Sequence, residues 1–369
     1  MMCMMKKIIV GILVILLCAC NTNNQKVDSI SVAGQVIAID DNGNADIDIT
    51  NTDFLNKGFN YGDSVNVEFD NGFTLEDIPF LSGMYVEYGK TMVYGKASKD
   101  TVSIIQKYKS FAEGSKVNEQ NTYTITLNEA RKYFNIEDVG NLQASNNFED
   151  YNDEVVFANF REVTVGDIKP GRLYRSSSVI DNKTNRIVYT SKLAIDNGIK
   201  TILNIINKPD DYNELISNLE GDPKILIENT NVINAPISVD YQSEVNNKTI
   251  IEGLNNLINN EYPYLIHCLE GKDRTGYELA IIEALCNATY EEIINDYMLT
   301  YKNYYGVSKD SDIEKYNYIK ESNIDAMLRF ITKAEDLNKV NYQEAAKSFL
   351  INYGMNTENI EKLINILCY

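Results

Sequence analysis

His267-Cys268-Leu269-Glu270-Gly271-Lys272-Asp273-Arg274-Thr275-Gly276 is the stretch on which the reading of this chain turns. It holds the only histidine of the 369 residues, a cysteine beside it, an arginine six positions further on, and a glycine between them. Tyr264-Leu265-Ile266, after Tyr262-Pro263, is a short apolar run of the kind that forms a buried strand. Leu279-Ala280-Ile281-Ile282 and Ala284-Leu285 beyond it read as a largely buried helix. A loop passing from strand to helix aims backbone N–H groups into one concavity at the helix's positive end, where anions bind. The amides from Leu269 through Glu270, Gly271 and Lys272 to Gly276 are therefore candidate phosphate contacts. The same field favours a thiolate at Cys268 and a thiol pKa below about 8.5. Arg274 offers a planar fork for two phosphate oxygens, which lysine cannot copy. Gly271 allows positive φ or a close backbone approach. Thr275 is placed to hydrogen-bond the Cys268 sulfur, and His267 to hold the loop's shape.

The segment resembles the signature of cysteine-dependent phosphatases of the protein tyrosine phosphatase superfamily, a Cys-x5-Arg loop. Its Gly271-Lys272-Asp273-Arg274-Thr275-Gly276 core is similar to the bacterial branch of atypical tyrosine and dual-specificity enzymes, some of which accept phosphoinositides. Asn159-Phe160-Arg161-Glu162-Val163 with Lys169-Pro170-Gly171-Arg172-Leu173-Tyr174-Arg175-Ser176-Ser177-Ser178 resembles that branch's N-terminal signature. Phe349-Leu350 through Tyr353-Gly354 to Leu363 resembles its C-terminal helix pair. Glu162-Val163-Thr164 departs from the family's Asp-Leu-Gly, and Asn204-Ile205-Ile206-Asn207 from a common Asp-x-Arg. The resemblance implies an α/β fold with a central, mostly parallel sheet flanked by helices over 154–369. Its activity would be phosphomonoester hydrolysis through a cysteinyl-phosphate, on a phosphorylated protein or an inositol phosphate. The motifs call for no metal or cofactor. A non-catalytic phosphate-binding surface module is the reading from another functional class.

Ester cleavage needs a proton donor, and with no second histidine a carboxylic acid must serve. Asp240, in Asn234-Ala235-Pro236-Ile237-Ser238-Val239-Asp240-Tyr241, follows an expected strand from Ile225-Leu226-Ile227 to Val232-Ile233. That is where the superfamily places its acid loop. Asp273 lies in the phosphate loop itself, and the resemblance implies it as the alternative donor. Arg161, Arg172 and Arg175, with Lys272 and Arg274, would form a local basic pocket or, for the three upstream arginines, ion pairs. Tyr301, Tyr304, Tyr305, Tyr316 and Tyr318 either rim a cleft or pack.

At the start, Lys6-Lys7 precedes the apolar run Ile8–Leu17, a length that suits a signal-peptide core better than a bilayer span. Leu17-Cys18-Ala19-Cys20 resembles a bacterial lipobox with Cys20 as the lipidated residue. This implies a signal over 1–20, a polar tether over 21–28, and a folded part on the outer face of the cytoplasmic membrane. A retained transmembrane anchor is the alternative. Cys268, Cys286 and Cys368 then remain, an odd set with one catalytic member and no disulfide framework; Cys286 reads as helix packing. The formal charge of -19 disfavours nucleic acid as a partner.

From 29 to 125 the pattern changes to period-two strands such as Val32–Ile39 and Ser64–Phe69, with turns at Asp41-Asn42-Gly43-Asn44 and Asp70-Asn71-Gly72. A small, mainly antiparallel β barrel or sandwich is expected. Gly34–Asn44 resembles the β domain of S-adenosylmethionine hydrolases and related halogenases, which implies the fold and not that chemistry. Helical character first appears at Leu127-Asn128-Glu129-Ala130-Arg131, so 126–153 reads as a helix and a polar linker.

Overall fold

The computed structural model describes residues 29–151 and 153–369. The signal, lipobox and tether lie outside them. No helix of the described residues is long and apolar enough to cross a membrane.

Seven strands close a barrel: β1 (Ser31–Ile39), β2 (Ala45–Ile47), β3 (Ser64–Phe69), β4 (Thr74–Leu81), β5 (Thr91–Lys96), β6 (Thr101–Gln106) and β7 (Thr122–Glu129). Their order is β1-β2-β6-β5-β4-β3-β7, with β7 paired back to β1. Every pairing is antiparallel except β4 with β5. The β1–β2 turn is built as its sequence requires. The Asp40 carboxylate accepts the Asn42 and Asn44 N–H groups, and Gly43 takes positive φ. Period-two residues Val65, Val67, Ile125, Val102 and Ile104 fill the interior with Phe54, Phe59 and Phe80.

One expectation fails here. Leu127-Asn128-Glu129 is strand rather than helix, because Leu127 continues the alternation of Tyr123 and Ile125 and pairs with Val65. The helix begins at Phe134 and ends at Gly140. The described part of the linker packs against the second half. Buried Arg186 donates to Ser145 O at 2.6 Å, Asn146 Oδ1 at 2.7 Å and Phe157 O at 2.8 Å. The Phe148 ring stacks on Tyr189 at 4.7 Å. Lys315 pairs with Asp138 at 2.7 Å, tying the Phe134–Gly140 helix to the other half.

The second half is an α/β layer structure. Its sheet contains β8 (Arg161–Glu162), β9 (Leu173–Ser176), β10 (Thr201–Asn204), β11 (Asn231–Asn234) and β12 (Tyr264–His267), in the order β11-β10-β12-β9-β8. The sheet is mixed: β9, β12, β10 and β11 run parallel, and edge strand β8 is antiparallel to β9. Alternate residues serve opposite faces. Leu173, Leu203 and Ile266 pack with the Glu244–Leu257 and Asp273–Leu285 helices. Tyr174, Ile202 and Leu265 pack with the helices carrying Ala194 and Leu226.

Ile225-Leu226-Ile227 is not strand. It lies in the Gly221–Asn229 helix, with Leu226 buried and Ile225 half exposed, and β11 starts only at Asn231. A three-residue apolar run does not distinguish the two periods. Cys286 is also more than packing, since it forms a disulfide with Cys368. Each caps a helix, Asp273–Leu285 and Thr357–Leu367, and their Cα atoms are 5.8 Å apart. The bond fastens the C-terminus, which also bonds through Tyr369 N to Asp167 O and through Leu367 O to Lys169 N.

Candidate active site

The loop from His267 to the Asp273–Leu285 helix leaves the carboxyl end of β12, the inner strand between β9 and β10. Open α/β sheets present ligands at that end. Cys268 is a free thiol only 3 % exposed, at the base of the loop.

The loop's carbonyls are all engaged on its outer side. Leu269 O accepts from Ser178 N at 3.0 Å, and Glu270 O from Tyr304 Oη at 2.9 Å. Gly271 O accepts from Arg175 Nη2 at 2.8 Å. Asn159 Nδ2 bridges Glu270 O and Gly271 O at 3.2 Å each. The backbone N–H groups from Leu269 to Thr275 meet no acceptor among the described residues. Carbonyls turned out and amides left free make a cradle for an anion. Gly271 has φ +68°, as one of its two expected uses requires, and a Cβ there would also collide with Ser176 O.

Both matched upstream stretches converge on this outer side, and this corrects one expectation. Arg161 does not face an incoming phosphate. Its Nε donates to Asp296 Oδ1 at 2.8 Å, Nη1 to Asn159 Oδ1 at 2.7 Å, and Nη2 to Asp296 O at 2.8 Å. Arg175 joins the other Asp296 oxygen. Asp296 is buried, which favours its acid form, yet the Arg161 and Arg175 charges overcome this and hold it far below the usual carboxylate range. Burial and then the Asp296 charge push neighbouring Glu283 well up. Arg172 stacks on Tyr262, 3.5 Å from the ring centre. Arg175, and Arg161 through Asn159, thus brace the loop, Arg172 packs apart from it, and the three form no substrate pocket.

His267 is fully buried at the start of the loop. Its Nδ1 lies 3.2 Å from Cys268 O, and burial, helped by Arg274, pushes it down to about 4 against the opposing backbone bond. It is neutral at physiological pH. Thr275 departs from expectation: its buried Oγ1 makes no hydrogen bond among the described residues, so the Thr275–Cys268 contact is not formed. A thiol is a weak acceptor, and the bond gains strength only with a thiolate. Arg274 Nε is likewise buried without a partner. Arg274 lines a narrow recess with Asp273, Ser238, Tyr241 and Tyr277.

Both carboxylic-acid candidates line one cleft of about 330 Å³, with Lys272 and Tyr301. Asp240 Oδ1 accepts from Gln242 N at 3.0 Å, and Asp273 lies 3.8 Å from Lys272 Nζ. Lys272 also reaches Glu270 at 3.2 Å and Tyr305 Oη at 2.9 Å. Burial works against its charge, but Asp273, Tyr305 and Glu270 outweigh this and hold it above the ordinary lysine value. Of the tyrosine cluster, Tyr301 and Tyr318 line the cleft, Tyr304 braces the loop and Tyr316 is core. The Gly276 amide is not free for phosphate as expected, because it donates to Lys272 O at 2.8 Å as the helix begins, and Gly276 packs against Tyr297 without room for a Cβ. Asp296 and Glu283 gave no sequence signal, being single acids in helices.

The fold and site define a phosphate-binding, cysteine-bearing loop on an α/β sheet. A family model described as the tyrosine phosphatase family matches residues 141–369. The chain belongs to that family, and it is a cysteine-type phosphatase. Among curated proteins nothing matches. Solved structures similar to this chain include the core catalytic domain of PP-IP phosphatase SIW14 from S. cerevisiae. It is 22% identical over 47% of this chain and 91% of that one, with TM-score 0.27. P. aeruginosa TpbA is 17% identical over 44% and 92%, with TM-score 0.25. An uncharacterized conserved protein from Thermotoga maritima is 20% identical over 27% of this chain, with TM-score 0.23; the match spans only 37% of that protein's length.

Proposed function

We propose that this phosphatase acts on aryl phosphate esters, phosphotyrosine in a protein above all, through a cysteinyl-phosphate intermediate. Cys268 Sγ attacks phosphorus while Arg274 and the free loop amides hold the equatorial oxygens. The P–O ester bond breaks, and the leaving oxygen takes a proton from Asp273 or Asp240. Water, deprotonated by the same carboxylate, then attacks phosphorus and expels the Cys268 thiolate with release of phosphate.

The observation that carries this preference is the cleft's lining. Tyr85, Tyr88, Tyr108, Tyr241, Tyr301 and Tyr318 line it with Lys107 and Lys272, against Glu87, Asp240 and Asp273. Aromatic walls suit a phenyl ring. Two lysines facing three carboxylates give no cationic excess for an inositol polyphosphate. The test is turnover of a phosphotyrosine peptide against an inositol polyphosphate, with Cys268→Ser as control. The peptide is the expected substrate, with activity surviving EDTA and lost to vanadate or thiol alkylation. Preferential turnover of the inositol phosphate would overturn the reading.

The same proposal includes export and lipid attachment at Cys20, with the enzyme facing outward from the cytoplasmic membrane. The Cys286–Cys368 disulfide supports it, since such bonds persist in oxidising compartments. Labelled fatty-acid incorporation that survives Cys20→Ala would refute lipidation there.

A further inference from the structure

The cleft that holds both carboxylic-acid candidates has a second wall, and it comes from the barrel. We propose that Lys107, with the Tyr88–Tyr108 pair, is a substrate-binding element that the barrel contributes to the active site. Lys107 would meet an anionic oxygen of a phosphotyrosyl substrate, and the rings its aromatic part. The inference rests on the aryl phosphatase reading above and extends it to a region outside the tyrosine phosphatase match.

Met84–Tyr88 and Lys107-Tyr108 line the same cleft as Asp240, Lys272 and Asp273. Lys107 and Tyr108 form the tip of a tight turn after β6, closed by Lys109 N donating to Gln106 O at 3.0 Å. Tyr108 has φ +58°, a left-handed conformation that turns normally give to glycine or asparagine. A half-exposed tyrosine there is unfavourable for the turn and is retained where its side chain is used. Its ring stacks on Tyr88 with centroids 5.7 Å apart and planes 26° apart. The pair is flanked by Lys107 Nζ over Tyr108 and Lys109 Nζ over Tyr88, each 5.7 Å from the ring centre.

Lys107 is half-buried and makes no ion pair or side-chain hydrogen bond among the described residues, although Asp240, Asp273 and Glu87 all act on its charge. Burial holds its ammonium below the ordinary lysine value despite them. A partly desolvated cation without a partner gains from an arriving anion. Glu87 and Tyr318 also line a neighbouring groove of about 710 Å³ between barrel strands and the helix bearing Arg329, a place for the peptide flanking the ester.

The anionic oxygen belongs either to the ester phosphate or to a carboxylate beside it, and substrates separate these. Full-length wild type, Lys107→Met and Tyr108→Gly are assayed on phenyl phosphate and on phosphotyrosine peptides flanked by glutamate or by alanine. Lys107→Met is expected to lower kcat/KM about tenfold, carried by KM, as the loss of one charged hydrogen bond implies. A loss on all three substrates assigns Lys107 to the phosphate, and a loss on the glutamate peptide alone assigns it to the flanking carboxylate. Tyr108→Gly, which also relieves the turn, should weaken both peptides while raising the melting temperature. Peptide affinity measured in Cys268→Ser with and without Lys107→Met gives a readout independent of turnover. Variants that keep wild-type KM and affinity on every substrate would overturn the proposal while leaving the phosphatase reading intact. A wild type that turns over none of them would overturn that reading first.

Discussion

The two sides of the phosphate loop are built on opposite rules. Behind it every carbonyl from Leu269 to Gly271 has a donor, and Arg161, Arg175 and Asn159 form a network around Asp296 with little exposure. In front, the amides, Arg274 Nε and Thr275 Oγ1 lack hydrogen-bond partners among the described residues. Buried polar groups are normally paired, so unpaired ones gathered on the loop mark where a ligand completes the set. The contrast says that stability is invested behind the loop and chemistry in front of it.

Breaking the rear should cost folding. Asp296→Asn leaves two buried guanidiniums short of a counter-charge, and a loss of about 3–5 kcal/mol is expected. For a domain of ordinary stability that is a large share of the total. A urea midpoint unchanged from wild type would mean that Asp296 does not carry the network.

Breaking the front should cost rate and leave stability nearly alone. Asp273→Asn or Asp240→Asn, whichever removes the proton donor, should lower turnover of alkyl phosphates about 100-fold, and of aryl phosphates less because phenolate leaves more readily. If neither substitution separates the two substrate types, both candidates fail.

A pH effect sharpens the contrast from within the supporting helix. Glu278 is fully buried, neither carboxyl oxygen has a partner among the described residues, and burial pushes it up to about 8. The folded state therefore keeps a proton that the unfolded chain releases above about 4.5. Its stability contribution is whole below that pH and is lost as pH rises toward about 8. Melting temperatures of wild type should fall between pH 5 and pH 8, and those of Glu278→Gln should fall less. Parallel curves for the two proteins would count against a buried, protonated Glu278.

Much of the site was legible because it is contiguous. Ten residues hold the cysteine, arginine and glycine, and the strand and helix flanking them have patterns strong enough to read. The hairpin turns at Asp40–Asn44 and Asp70–Gly72 were legible for the same reason: the residues that need the geometry sit within it. The misreadings fall where local signals tie. Ile225–Ile227 is too short to choose a period, and Leu127–Glu129 has helical composition but two neighbouring strands to pair with. Arg161 was read from its charge and its place in a matched stretch, but its destination depends on Asp296, well over a hundred residues away.

From the sequence came the reaction, since nucleophile, anion cradle and guanidinium are chemistry that adjacent residues carry wherever the loop lies. Tertiary structure alone chose the partners: which acid binds Arg161, which cysteine meets Cys286, and which lysine overlooks the cleft. Periodicity tells a side chain which face it is on, but not what stands opposite. That is decided when distant segments pack together and buried charges must find one another.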